Sequence, residues 1–336
     1  MGKESAKIWV HVASVGEYNS VRWLLNELKS SFEIALTYFS PRAKDYLEKS
    51  NLKVVQRVPL SPLGVMRFEK TIKPAAFLLV ERELWPSFKL IKTKKLWIGA
   101  YSKGGLLERW IGKDFELVIT KTQEDADSFK SLGINAKSCG NLKWVLQEPK
   151  HVMLSFSGRL LILGSSHEGE EALIKRVFKK LLTEFKDLKL IVAPRHIKRS
   201  DEVLALFREF RVIKKSQGGD NWNVLILDTL GELFSIYKYA DVVIMGGTFV
   251  KVGGHNIAEA LFFNKPVVFG PYTYKIRDMV ELALKSNLSY RVANAKELES
   301  VLRELLRKNQ RTINQINIAK EVRSCYLSEI FGVLKK

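Results

Sequence analysis

Short apolar runs alternate with helix-period segments along most of the chain. In the first half, strand-like runs fall at 8–14, 34–40, 54–60, 75–81, 96–101 and 117–121. Between them Val21, Leu24, Leu25 and Leu28 recur at the 3.6-residue spacing of a helix with one buried face, and 123–132 repeats that pattern. Runs that are apolar throughout suit strands covered on both sides. Strands alternating with helices predict a parallel sheet between helical layers. The rhythm breaks at 140–157, around Pro149, and resumes with runs at 160–164, 188–194, 224–228, 242–246 and 266–270. The stretches 295–306 and 313–334 read as helices with little strand between them. The pattern predicts an α/β protein of two doubly wound domains, 1–145 and 146–312. A C-terminal helical segment, 313–336, is expected to pack back toward the first.

Size and composition agree with that division. A chain of 336 residues, 46% apolar and 27% charged, suits two folded domains of about 150 residues. No apolar run reaches the roughly 18 residues that cross a bilayer, and residues 1–7 are too short and polar for a signal peptide. Cys139 and Cys325 lie far apart without metal-type spacing, so they read as two buried, unpaired thiols of a reducing compartment, the cytoplasm by default. The formal charge of +19 is shared almost evenly, +9 over residues 1–145 and +10 over the rest. A spread excess of this kind suits an anionic membrane face, a phosphorylated substrate or nucleic acid. It equally suits simple solubility.

In doubly wound sheets ligands bind beyond the carboxyl ends of the strands, and those positions here are polar or glycine-rich. Ser14-Val15-Gly16-Glu17 follows the first run, where Glu17 is a candidate general base; a Glu in a first helical turn is also favoured by the helix dipole. Ser40-Pro41 is a helix start, and Arg42 beside it is a candidate for an anionic acceptor. Glu81-Arg82-Glu83 follows another run, either as a solvated loop or as the rim of a site. In the second half, Ser165 and Ser166 precede a helix and form a candidate anion site. Arg195, in Pro194-Arg195-His196, is a candidate phosphate clamp. Gly253-Gly254-His255-Asn256-Ile257-Ala258-Glu259 lets backbone approach a ligand, with a helix expected near Asn256. There, Asn256 and Glu259 share a face and could take ribose hydroxyls. GxGxxG, Walker A, GxSxG and metal-spaced His/Cys clusters are absent. Asp125-Ala126-Asp127 has the form of a metal-binding D-x-D but falls inside an amphipathic helix pattern.

Together these runs resemble the 3-deoxy-D-manno-octulosonate (Kdo) transferases of lipopolysaccharide synthesis, glycosyltransferases of the GT-B type with two Rossmann-like domains facing a central cleft. The resemblance rests on seven ordered motifs over nearly the whole chain. They are Val12-Ala13-Ser14-Val15-Gly16-Glu17, Glu83-Leu84-Trp85-Pro86, Gly140-Asn141-Leu142-Lys143, Gly164-Ser165-Ser166-His167 with Gly169-Glu170, Pro194-Arg195-His196, Asp228-Thr229-Leu230-Gly231-Glu232-Leu233, and Gly253-Gly254-His255-Asn256 with Glu259. It implies an inverting, metal-independent transfer of Kdo from CMP-Kdo to a lipid A precursor, with no cofactor. In that scheme Glu17 is the base, and Glu81, Glu83 and Arg42 are candidates for the acceptor side. The resemblance implies that Pro194, Arg195, Leu230, Gly231, Glu232, Asn256, Ile257, Ala258 and Glu259 hold CMP; Ser165, Ser166, His196 and Gly254, beside them in the same motifs, are further candidates for the donor side. The family often has proline where this chain has Ala260. It commonly begins with a hydrophobic anchoring segment not seen here, which leaves peripheral attachment to the cytoplasmic face of the inner membrane to the basic surface. Rival readings are a GT-B transferase or epimerase using a UDP-sugar, and a nucleic-acid-binding protein. The latter is suggested by charge alone and opposed by the acidic strand ends.

Overall fold

The computed structural model describes residues 6–50, 52, 54–149, 151–285, 289–308 and 318–335. The expected boundary at 312/313 therefore falls outside the described residues. The chain divides into two units. One comprises the described residues through Gln147 together with those from Ile318 onward, and the other runs from Glu148 through Lys308.

Among the described residues each unit is built on a seven-stranded parallel sheet. In the first, β1 (Lys7–Val12), β2 (Glu33–Tyr38), β3 (Val54–Arg57), β4 (Pro74–Val80), β5 (Lys94–Ala100), β6 (Leu117–Thr120) and β7 (Ala136–Ser138) are ordered β3-β2-β1-β4-β5-β6-β7. β1 is central: Val10 lies beside Leu36 of β2 and Leu78 of β4. Its run IWVHV is buried on both faces, which is why it reads as continuously apolar. Trp9 packs edge-on against Phe77 at 4.7 Å, and Phe88, Trp97 and Phe129 complete that core.

The second unit repeats the plan with β8 (Leu160–Ser166), β9 (Lys189–Pro194), β10 (Val212–Lys214), β11 (Val224–Ile226), β12 (Val242–Met245), β13 (Val267–Phe269) and β14 (Ser289–Arg291), ordered β10-β11-β9-β8-β12-β13-β14. Here β8 is central, with Leu163 beside Val192 and Ile244. The helix Glu170–Leu181 lays Ile174, Val177, Phe178 and Leu181 on the sheet, joined by Leu298, Leu302 and Leu305 of the helix Ala295–Lys308. Gly164 ends the apolar part of β8 because a Cβ there would fall on the Tyr237 hydroxyl.

The helix Ile318–Leu334 packs with the first unit. Tyr326 donates to the Gly140 carbonyl at 2.9 Å, and Lys137 pairs with Glu329 at 2.5 Å. The expectation of two unpaired thiols fails at this contact. Cys139 and Cys325, with Cα atoms 5.6 Å apart, form a disulfide. Their separation of 186 residues spans the entire second unit, so only the packing of this helix on the segment after β7 brings them together. The argument from free thiols to a reducing compartment is thereby lost.

Candidate active and donor sites

In both sheets the strand order reverses beside the central strand, between β1 and β4 and between β8 and β12, and loops leaving the carboxyl ends of such strands diverge to leave a crevice. At the first reversal, Glu17 follows β1, Glu81 to Trp85 follow β4, and Tyr101 follows β5. With Arg82, Glu83 and Leu84 they line one pocket of about 300 Å³.

Glu17 occupies the first turn of the helix Val15–Leu28. Ser14 is the N-cap, its hydroxyl accepting the Glu17 N–H at 3.3 Å, while Glu17 Oε2 accepts the Ala13 N–H at 2.6 Å. These two hydrogen bonds fix the carboxylate at the pocket. Glu17 Oε1 has no hydrogen-bond partner among the described residues. Burial, with the Ala13 N–H opposing it and the Glu81 and Glu83 charges adding to it, raises the carboxyl to about 7. A carboxylate so tuned takes protons at neutral pH far better than an ordinary one.

The neighbouring charges are held firmly. Glu81, in the left-handed region at φ 55°, pairs with Lys121 at 3.0 Å, and the Lys121 ammonium lies 4.9 Å from the Tyr101 ring centre. Glu83 accepts the Trp85 indole N–H at 3.0 Å, and burial raises its carboxyl. Arg82 binds the buried Glu108 at 2.6 Å, and Glu108 in turn accepts the Lys103 and Gly104 N–H groups. The solvated-loop reading of this triplet therefore fails, since each side chain has a fixed partner and lines the pocket. Arg42 does not join them. It is exposed on the short turn Pro41–Ala43 and is absent from the pocket lining. Sequence reasoning passed over Tyr101 and Lys121, and it placed Arg82 on the rim without giving it a role. Their strand-end positions were the available signal.

At the second reversal, Arg195 and His196 are exposed just beyond β9, and Arg195 has no ion-pair partner among the described residues. Pro194 is buried at the strand end. The loop after β11 presents Leu230, 87% exposed, beside Gly231 at φ 79° and Glu232, which is bonded to the Thr229 hydroxyl. Gly253 and Gly254 both donate to the Gly247 carbonyl, at 3.0 and 2.8 Å, and Gly254 holds φ 87° with Ile276 where a Cβ would go. Asn256 and Glu259 do come together, the amide donating to the carboxylate at 3.4 Å, and burial raises Glu259.

Two local expectations are corrected. The helix expected near Asn256 is Ala258–Phe262, only five residues, preceded by Ile257, with Asn256 accepting the Ala258 N–H at 3.1 Å. So short a helix offers little dipole to a phosphate. Ser165 and Ser166 lie in β8, and the helix beyond them starts only at Glu170. The Ser166 hydroxyl is buried against Glu171 at 2.8 Å. The nearby N–H groups are taken by Glu170, whose buried carboxylate accepts from His167 at 2.9 Å, Gly247 at 2.7 Å, Thr248 at 3.1 Å and Phe249 at 2.9 Å. Glu170 thus ties the β8 turn to the β12 loop, a role missed from sequence because first-turn acids usually serve their own helix. Asp125 is also engaged, accepting from the Ser102 N–H at 2.9 Å and the Thr122 hydroxyl at 2.7 Å. Among the described residues no cluster of three or more metal-type ligands occurs.

Two Rossmann-like units, each with a polar crevice where its strand order reverses, define a GT-B protein. A putative UDP-N-acetylglucosamine 2-epimerase from Listeria monocytogenes shares this fold, with a TM-score of 0.67 and 11% identity over 99% of this chain and 98% of that one. MurG from Acinetobacter baumannii does so with a TM-score of 0.59 and 14% identity over 95% and 98%. Residues 1–96 match the family model described as 3-deoxy-D-manno-octulosonic-acid transferase (kdotransferase). The 3-deoxy-D-manno-octulosonic acid transferase of Aquifex aeolicus (strain VF5) is 39% identical over 343 residues, covering 99% of this chain and 96% of that protein. The chain belongs to the Kdo transferase family and is a glycosyltransferase.

Proposed function

We propose that the protein transfers Kdo from CMP-Kdo to a hydroxyl of a lipid A precursor, with inversion at the anomeric carbon. The observation that carries the reading, beyond family membership, is Glu17, held by the Ala13 N–H and the Ser14 hydroxyl and raised to about 7 in a pocket of fixed charges. Glu17 takes the proton of the acceptor hydroxyl as its oxygen attacks the anomeric carbon, and the bond to the CMP phosphate breaks with its electron pair leaving on CMP. Arg195, uncommitted to any ion pair among the described residues, stabilises the departing phosphate, so the reaction proceeds without a metal. Glu81, Arg82 and Glu83 contact the acceptor sugar. The Leu230–Glu232 loop and the Asn256–Glu259 segment hold the nucleotide.

The donor separates this reading from a UDP-sugar enzyme. A ligand at 100 times its Kd stabilises the native state by about 2.7 kcal/mol. CMP should therefore raise the melting temperature measurably and UDP should not; a shift with UDP alone would favour the rival.

The acceptor is an anionic amphiphile, and the first unit carries a surface suited to the bilayer that holds it. The helices Pro62–Ile72 and Leu106–Gly112 both pack on the turn Pro86–Leu90 and expose Leu63 (66%), Leu106 (85%) and Trp110 (52%). Exposed Arg67, Lys70 and Arg109 lie on the same helices, and Lys89 sits 5.0 Å from the Trp110 ring centre. No described helix is long and apolar enough to cross a membrane. Each Lys or Arg near an anionic surface contributes about 1 kcal/mol, screened within about 8 Å at physiological salt. Sedimentation with anionic vesicles should be strong at low salt and largely lost near molar salt, and Trp110→Ala with Leu106→Ser should weaken it severalfold. Salt-independent binding, or none, would contradict peripheral docking by this face.

A further inference from the structure

The second crevice contains a feature that the donor reading does not use. The imidazoles of His167 and His255 lie parallel, 1° apart, with their Nε2 atoms 2.8 Å from one another. His167 leaves β8 and His255 ends the β12 loop, so the pair sits at the strand-order reversal itself. The position of His167 is set by the Glu170 carboxylate on its N–H.

We propose that His167 and His255 form a one-proton imidazole pair that receives an anionic group of the donor. A nitrogen–nitrogen contact this short requires one hydrogen between the two atoms. One ring donates through Nε2–H, and the ring that accepts must carry its own proton on Nδ1. Two protons facing each other across the contact are excluded. The next proton therefore goes to the Nδ1 of the donating ring. It leaves the pair with one positive charge and an Nδ1–H on each ring. Neither Nδ1 has a hydrogen-bond partner among the described residues, so both donors are available to a ligand.

The surroundings keep this added proton off until an anion arrives. Arg195, His196 and Lys275 act on the pair, and the opposing carboxylate, Glu171, is occupied by Arg199 at 2.9 Å, itself also bound to Glu202. Burial first, then this positive field, lowers His255 to about 4 and also lowers His167. An entering anion cancels the field and supplies an acceptor for Nδ1–H. Binding and proton uptake are then linked, and affinity for the anion rises as pH falls, by up to about tenfold per pH unit for one proton. The inference rests on the donor reading above. It adds that the pair holds either the phosphate or the carboxylate of CMP-Kdo.

The test compares wild type, His167→Gln and His255→Gln in donor KM and in CMP affinity between pH 6 and 8. Wild-type donor KM should fall on acidification. Each variant should lose that dependence and show a KM raised at least tenfold at pH 6. Equal weakening of CMP would assign the phosphate to the pair, whereas unchanged CMP affinity with raised donor KM would assign the sugar carboxylate. Variants matching wild type for both ligands at every pH would overturn the proposal. If the variants fail to fold, nitrogen-15 shifts of the five histidines in the wild-type chain answer instead. CMP or CMP-Kdo should raise the pH at which His167 and His255 take their added proton, and unaltered titration of a ligand-bound protein would overturn the proposal. Absence of any CMP or CMP-Kdo binding to wild type would refute the donor reading, and the pair's ligand with it.

Discussion

Glu17→Gln should lower the transfer rate by about 10²–10⁴-fold while leaving CMP affinity unchanged, because a general base contributes that much and the amide cannot take a proton. The substitution is conservative in the structure. Glutamine keeps an oxygen for the Ala13 N–H and the same volume, so the helix cap survives. Two further readouts separate a lost base from a damaged fold. In the wild type, kcat/KM should fall as pH drops through about 7, where Glu17 takes up its proton, and the variant's residual activity should lose that limb. The stability effect has the opposite sign. A carboxyl raised in the folded state favours the fold when protonated and disfavours it when charged, so this contribution is present below the ordinary carboxylate range and lost as pH rises through about 7. Glu17→Gln should therefore melt above wild type at pH 8, with the gap closing toward pH 5. Activity within a few-fold of wild type would remove Glu17 as the base.

Arg195→Ala should weaken CMP binding by about ten- to a hundredfold and slow transfer as well, because truncating a charge-assisted contact costs about 1.5–3 kcal/mol. The side chain is exposed and makes no ion pair among the described residues, so thermal stability without ligand should hardly change. Binding and rate should fall together because the phosphate is held both before and during departure. This contrasts with Glu17→Gln, where rate alone should fall. Unchanged CMP affinity would take Arg195 out of the donor site.

How much of this was legible in the sequence depended on how completely each element is buried. The central strands β1, β4, β8 and β12 are covered on both faces and stand out as unbroken apolar runs. The strands that the pattern omits, β7, β10 and β14, are three residues long and lie at sheet edges, where one flank needs no apolar cover. β13 is equally short but is flanked by Pro266 and Gly270, and that punctuation marks it. The positions of Glu17, Glu81, Glu83 and Arg195 at strand ends followed from the strand rhythm alone. Their partners did not. Glu108 reaches Arg82 across 26 residues, and His255 reaches His167 across 88, contacts that no local spacing encodes. Arg42 shows the converse limit, since its strand-end position does not bring it into the lining of the Glu17 pocket.

The most direct test of the account is product analysis. Purified protein, CMP-Kdo and a lipid A precursor should yield, by mass spectrometry, the precursor increased by the mass of one or more Kdo residues together with released CMP, in EDTA as well as without it, and Glu17→Gln should yield almost none. Product formed equally well by Glu17→Gln, loss of product in EDTA restored by Mg²⁺ or Mn²⁺, or hydrolysis of CMP-Kdo with the precursor unchanged would contradict it.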